Sequence, residues 1–203
     1  MSFNDILSEA EKNKVTFLPP IQTRGESGEY IKVSKIGTEY DSPLKMRILG
    51  SASDGSFIGG FRAFAMHGKA IRATTIQEIE DGPPLGTNQF TGEPEKIVEF
   101  HAFPAFVYQT NSVGICEIHQ KTIMYGLEKI AKKTGYEDPR LYDVEIKKNG
   151  NRYVIEALPP SQLTPEQINI IDKTITERFD MAQLFKGGNP FDPEPQNAEG
   201  INA

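Results

Sequence analysis

Cations and aromatic rings alternate along several short apolar segments: Lys45, Arg47, Phe57, Phe61, Arg62, Phe64, Lys69, Arg72, Phe103, Phe106 and Tyr108. Together these two residue types support one chemistry that breaks no bond. A cation neutralises a phosphate and releases its counterions, and an exposed ring stacks on an unpaired base for about 1–3 kcal/mol with little regard to which base it is. The competing use of the same residues is structural. A ring on an alternating strand more often belongs to a core, whereas arginine is rarely buried unpaired, so Arg47, Arg62 and Arg72 are either ligand contacts or members of ion pairs.

Other chemistries find little support. The chain has no GxxxxGK[ST], no GxGxxG after a strand, no GxSxG and no HExxH, so the usual signatures of phosphate cradling, dinucleotide binding, ester hydrolysis and zinc proteolysis are missing. Cys116-x-x-His119 is the one close pair with metal-ligand spacing, with His67 and His101 as the only further imidazoles. A free cysteine on a strand ordinarily packs in a core, and His119 falls at a helix entrance, so no metal is expected. The carboxylate pairs Glu78/Glu80 and Asp143/Glu145 are spaced i, i+2 and share a face, which reads as a solvated polar face. No catalytic residue, cofactor or enzyme activity is expected.

The formal net charge of −6 looks unsuited to a polyanion partner, but it is unevenly spread. Residues 160–203 carry three basic against seven acidic side chains, a balance of −4, while residues 41–159 carry 14 against 15, a balance of −1. A basic groove can form in the second region if its cations share a face.

The elements that must position these residues follow from periodicity and turn residues. Phe3, Ile6, Leu7 and Ala10 have helical spacing, but Pro19-Pro20 ends regular structure, and residues 1–28 read as an arm. Strands are expected over 29–35, 44–49, 57–64, 70–75, 97–110, 113–118, 141–147 and 152–158. Gly59-Gly60 suggests a bulge, Pro104 an edge or a bulge, and Asn149-Gly150 a hairpin. Residues 80–94 are too rich in Gly and Pro for anything but a long exposed loop. Ile123, Leu127, Ile130 and Ala131 mark a helix stopped by Gly135, and Thr164-Pro-Glu-Gln167 opens another with Ile168, Ile171, Ile175 and Phe179 on one face.

The resulting organisation is an N-terminal arm (1–28), one binding domain (29–160), a C-terminal helical segment (161–186) and a flexible tail (187–203). No apolar run approaches the ~20 residues needed to cross a bilayer, and the opening MSFNDILSEAEKNK lacks the order of a secretory signal. A cytoplasmic protein is expected, with which a lone cysteine agrees.

The segments Lys45-Met-Arg-Ile-Leu49, Gly59-Gly-Phe-Arg-Ala-Phe64 and Gly68-Lys-Ala-Ile-Arg72 resemble, in this order, the opening strands of the single-stranded DNA-binding proteins of bacteriophages. Phe103-Pro-Ala-Phe-Val-Tyr108, Ile115-Cys-Glu-Ile-His-Gln-Lys-Thr-Ile123 and Asp138-Pro-Arg-Leu-Tyr-Asp-Val-Glu-Ile-Lys-Lys-Asn-Gly150, followed by Tyr153-Val-Ile, resemble that family's later strand, helix start and hairpin in turn, and the resemblance covers about residues 28–160. Ala70 stands where the family has proline, Lys147-Lys148 where it has a hairpin arginine, and the chain has no tryptophan. The resemblance implies a mixed α/β, mainly β fold: a five-stranded OB-type barrel with an inserted helix, a C-terminal helix and flexible arms. It implies a viral protein of the host cytoplasm that coats and protects single-stranded DNA in replication, recombination and repair. Phosphate contact falls to Lys45, Arg47, Arg62, Lys69, Arg72, Lys147, Lys148 and Arg152, and stacking to Phe57, Phe61, Phe64, Tyr108 and Tyr153. Replication or recombination proteins are the further partners it suggests, through the C-terminal region, and self-association is compatible with it. The alternative is the same barrel as a protein-interaction or virion-structural module.

Overall fold

The computed structural model describes residues 29–66, 68–88 and 91–192; the arm at 1–28, His67 and the tail beyond 192 lie outside the described residues. Among the described residues eight strands form one sheet: β1 (Glu29–Ile31), β2 (Leu44–Ile48), β3 (Ile58–Phe64), β4 (Ala70–Ala73), β5 (Val98–Val107), β6 (Ser112–Ile118), β7 (Asp143–Asn149) and β8 (Arg152–Leu158). Among the described residues three α-helices accompany it: α1 (Ile76–Glu80), α2 (Lys121–Ala131) and α3 (Pro165–Thr174). The sheet order is β1-β6-β5-β2-β7-β8, with β3 on β5 and β4 on β3. Among the described residues no ladder returns from β8 to close the sheet, so the mixed, mainly β fold is an open eight-stranded sheet where the sequence reading expects a five-stranded barrel.

β5 is the spine because one of its edges serves two partners. Its C-terminal half pairs with β2 (Ile48 opposite Ala105) and its N-terminal half with β3 (Ile58 opposite Ala102). Pro104 falls at the changeover, where its missing N–H takes no bond from either ladder while its carbonyl accepts from Leu49 N at 2.8 Å. Proline is therefore housed deep in the sheet, and neither an edge nor a bulge is needed. Gly59-Gly60 is likewise no bulge, since β3 runs opposite β5 in register from Ile58 to Arg62.

Strand alternation divides the side chains between two faces. The inner face contributes Leu44, Met46, Ile48, Phe103, Ala105, Val107, Cys116, Val144 and Ile146 to the main core. Ile123, Met124, Leu127 and Ile130 of α2 seal that core, because apolar residues at helical spacing make one continuous stripe. α2 approaches β8 through Gly126, where an added Cβ would collide with Ile155 Cγ2. The hairpin joining β7 and β8 places Asn149 opposite Arg152, so its central residues are Gly150 and Asn151, with a positive φ of 58° at Gly150 alone. That is the arrangement a two-residue turn with glycine first requires.

The outer face is covered by the C-terminal segment. Met181 and Leu184 pack on Phe100, Ala102 and Ile115, with Phe179, Phe185 and Phe191 around them. α3 has the expected capping box, Thr164 Oγ accepting from Gln167 N and Gln167 Oε1 from Thr164 N. It ends at Thr174, however, with Ile175 as its cap and Phe179 beyond it, so the longer helix face foreseen through Phe179 is broken between two elements. No residue of α3 is buried.

Candidate nucleic-acid interface

The outer face carries two charged clusters, one at each end of β5. Arg47 lies opposite Phe106, and Arg62 lies opposite Val98. These two β5 positions have the same parity and are eight residues apart, which is about 27 Å at ~3.4 Å per residue. The arginines thus share a face without sharing a site, because Met181, Leu184 and Phe185 occupy the apolar stretch between them.

The first cluster is built around Asp143, which is fully buried. Its carboxylate accepts from Arg47 Nε at 2.8 Å, Tyr108 Oη at 2.9 Å and the Ser161 backbone N at 2.9 Å. Lys45 Nζ is 3.6 Å away; it donates to Ser161 Oγ at 2.7 Å and sits over the Tyr108 ring at 5.0 Å. Burial pushes the Asp143 pKa up, but the Ser161, Arg47 and Tyr108 donors outweigh it and hold the carboxyl below its ordinary range. Burial, followed by the neighbouring Asp143 carboxylate, pushes the Tyr108 phenol up to about 12. Asp143 is therefore the anchor that fastens the chain after β8 to β2 and β7, and not part of the solvated face its spacing to Glu145 suggests. Lys45, Arg47 and Tyr108 are already engaged within this network.

The second cluster is built around Glu117 of β6. Arg62 and Arg72 are cross-strand neighbours on β3 and β4, and both reach the same carboxylate: an Arg62 Nη pairs with Oε1, and Arg72 Nε donates to Oε2 at 2.6 Å. Two guanidiniums against one carboxylate leave one positive charge uncompensated within this trio. The Arg62 guanidinium stacks over Phe64 at 5.2 Å, and its Nε is buried with no hydrogen-bond partner among the described residues. His119 Nδ1 is 3.4 Å from Arg62, and burial, then that guanidinium, depress the His119 pKa. A cavity of about 280 Å³ opens here, with Arg62, Phe64, Glu93, Glu95, Lys96 and His119 in its wall. The loop foreseen over 80–94 supplies part of that wall. It is tied down by Gly86 N to Phe64 O, Glu95 N to Gly86 O and Asn88 N to Glu93 O, each at 2.8 Å.

The remaining predicted residues lie elsewhere. Phe57 is half-buried and stacks on Phe103 at 4.8 Å, Phe61 packs with Ala63, Ala73 and Ile79, and Tyr153 packs against the main core. Lys147 pairs with Glu156 at 2.8 Å. Lys69, Lys148 and Arg152 are exposed. Phe64 is the one predicted stacking residue that borders the cavity. Lys96 and His119 of the cavity wall, and Glu117 that pairs the two arginines beside it, were not foreseen; the signal for Lys96 is its place directly after the Gly/Pro-rich loop, while Glu117 has no local signal. Cys116 lies in the inner core and His119 in the outer cavity wall, so their spacing does not bring them together as ligands, and no cluster of three metal-ligating residues occurs among the described residues. Burial drives the Cys116 thiol pKa far up.

No family model, curated protein or solved structure matches the chain. Among the described residues no helix is long and apolar enough to cross a membrane.

Proposed function

We propose that the chain binds single-stranded DNA without catalysing a reaction, on an elaborated OB-type framework. In this reading β2 and β3 act as one interrupted first strand, β5 and β6 as the second and third, and β7 and β8 as the fourth and fifth. α2 lies between the third and fourth, and residues 65–97 enlarge the first loop. The observation that carries the proposal is the meeting of Arg62, Phe64 and Lys96 at a solvent-open cavity on the rim of the sheet. A ring and cations bordering one open space are what an unpaired strand requires. The strand runs along the β3–β4 rim past Arg72 and Lys69, while the Asp143 cluster stays structural. The role is to coat and protect DNA in phage replication, recombination and repair within the host cytoplasm.

The test is fluorescence anisotropy of a labelled oligothymidine with the full chain. Binding at micromolar protein or below is expected, with log affinity falling against log salt by about 0.7 per phosphate neutralised. The double variant Lys69→Ala/Arg72→Ala flattens that slope. Absence of binding at low salt overturns the proposal and leaves the protein-interaction or virion-structural reading.

A further inference from the structure

We infer that the free edge of β8 pairs with the same edge of a second copy of this chain, antiparallel across a two-fold axis at Val154, so that the sheet runs on from one protomer into the next. This inference does not depend on the DNA-binding reading above. β8 ends the sheet order, and β7 and α2 are the elements packed along it. In a two-residue hairpin the flanking residues, here Asn149 and Arg152, exchange both backbone bonds. Alternation then gives Val154 and Glu156 the same role opposite Lys147 and Glu145. The N–H and C=O groups of Tyr153, Ile155 and Ala157 therefore point away from β7, and none of them has a backbone partner among the described residues. Edges of this kind are commonly blunted by a lysine, a proline or a bulge. β8, with the sequence RYVIEAL in unbroken register on β7, has none of these.

Charge identifies the occupant. Tyr153, Ile155 and Ala157 pack toward the main core, so Arg152, Val154 and Glu156 lie on the opposite face of the strand, where Val154 is 41% exposed. Lys147 serves two carboxylates there, Glu156 at 2.8 Å and Glu145 at 3.8 Å, which leaves one negative charge over. Arg152 is exposed and has no acidic partner among the described residues. Pairing centred on Val154 sets Arg152 opposite Glu156 of the second copy, and Glu156 opposite the copy's Arg152, so the unmatched charges cancel twice. It also sets Tyr153 opposite Ile155 of the copy, where each pair exchanges both of its free backbone bonds. An axis one residue either way faces Arg152 with Val154 or Leu158 and loses both charge pairs. Such a self-complementary contact closes after two copies, which leaves no open edge of β8.

The experiment is sedimentation velocity of the full chain over a range of concentrations, together with mild oxidation of two cysteine variants. A dimer is expected, and Arg152→Glu, which faces Glu156 of the copy with a like charge and removes no ion pair within the chain, should weaken association at least about threefold. Val154→Cys should form a disulfide between copies, since directly opposite residues of this kind have Cα atoms about 4.5 Å apart. Arg152→Cys should not, because in this register its equivalents are four residues apart along the strands, about 13 Å at ~3.4 Å per residue. Cys116 is buried and stays out of the reaction. A monomer at every concentration, association indifferent to Arg152→Glu, or cross-linking through Arg152→Cys as readily as through Val154→Cys would overturn the inference.

Discussion

Asp143 keeps its charge although it is fully buried, because Arg47, Tyr108 and the Ser161 amide all donate to it. Asp143→Asn leaves the Arg47 guanidinium without its counter-charge in a half-closed site. The expected loss is about 3–5 kcal/mol in urea unfolding, the range for breaking a buried pair from one side. The pH dependence follows from the shifts. A carboxyl with a lowered folded pKa contributes fully above its ordinary value of 3.8, and that contribution is lost as pH falls below it toward the folded value. A phenol raised from 10.0 to about 12 contributes fully below pH 10, and its contribution is lost as pH rises from there toward 12. Melting temperature should therefore be flat with respect to these two groups between the limits and fall outside them, with Tyr108→Phe flattening the alkaline limb. An alkaline limb unchanged in Tyr108→Phe would show that the phenol is not held by Asp143.

At the scale of elements, the packing of α2 on β8 turns on a missing methyl group. Alanine at position 126 gains about 1 kcal/mol of helix propensity over glycine but meets Ile155 Cγ2, and overpacking of this kind costs about 1–3 kcal/mol. Because Ile155 is β-branched on a strand, the methyl cannot swing aside cheaply. Gly126→Ala should destabilise by up to about 2 kcal/mol, and Ile155→Ala should remove that penalty in a double-mutant cycle; additive effects would deny the contact. Local features of this sort were legible in the sequence. The α2 stripe, the Thr164–Gln167 box and the Asn-Gly hairpin each depend on residues a few positions apart. What sequence hid depends on register between distant strands. Pro104 is tolerated only because β5 changes partner there, and Asp143 is buried by an amide 18 residues further on. Glu117 lies opposite Ala102 yet serves arginines 45 and 55 residues earlier in the chain. No spacing within one strand encodes such meetings.

For the whole molecule, the C-terminal segment belongs to the same core as the strands it covers. Leu184 is 1% exposed and packs on the outer face of the sheet. Leu184→Ala is expected to cost about 2–5 kcal/mol and to lower the midpoint of one cooperative transition. Two separate transitions, or an unchanged midpoint, would show that the segment is an independent appendage. This arrangement also explains why the charged residues of the sheet divide into two clusters. The cations near Ser161 hold the segment in place, and Arg62 and Arg72 are held by Glu117 beside the cavity. The one uncompensated positive charge of the Arg62, Arg72 and Glu117 trio can then act locally within a chain whose net charge is −6.

The cover over Phe100, Ala102 and Ile115 has a consequence during synthesis. About 66 residues separate the end of β6 from Leu184, and at ~5–20 residues per second the ribosome needs on the order of 3–13 s to produce them. For that interval the nascent sheet presents a greasy face with nothing to lay across it. A chaperone that shields extended apolar segments during translation should raise the yield of this protein more than that of one whose sheet is covered by neighbouring sequence.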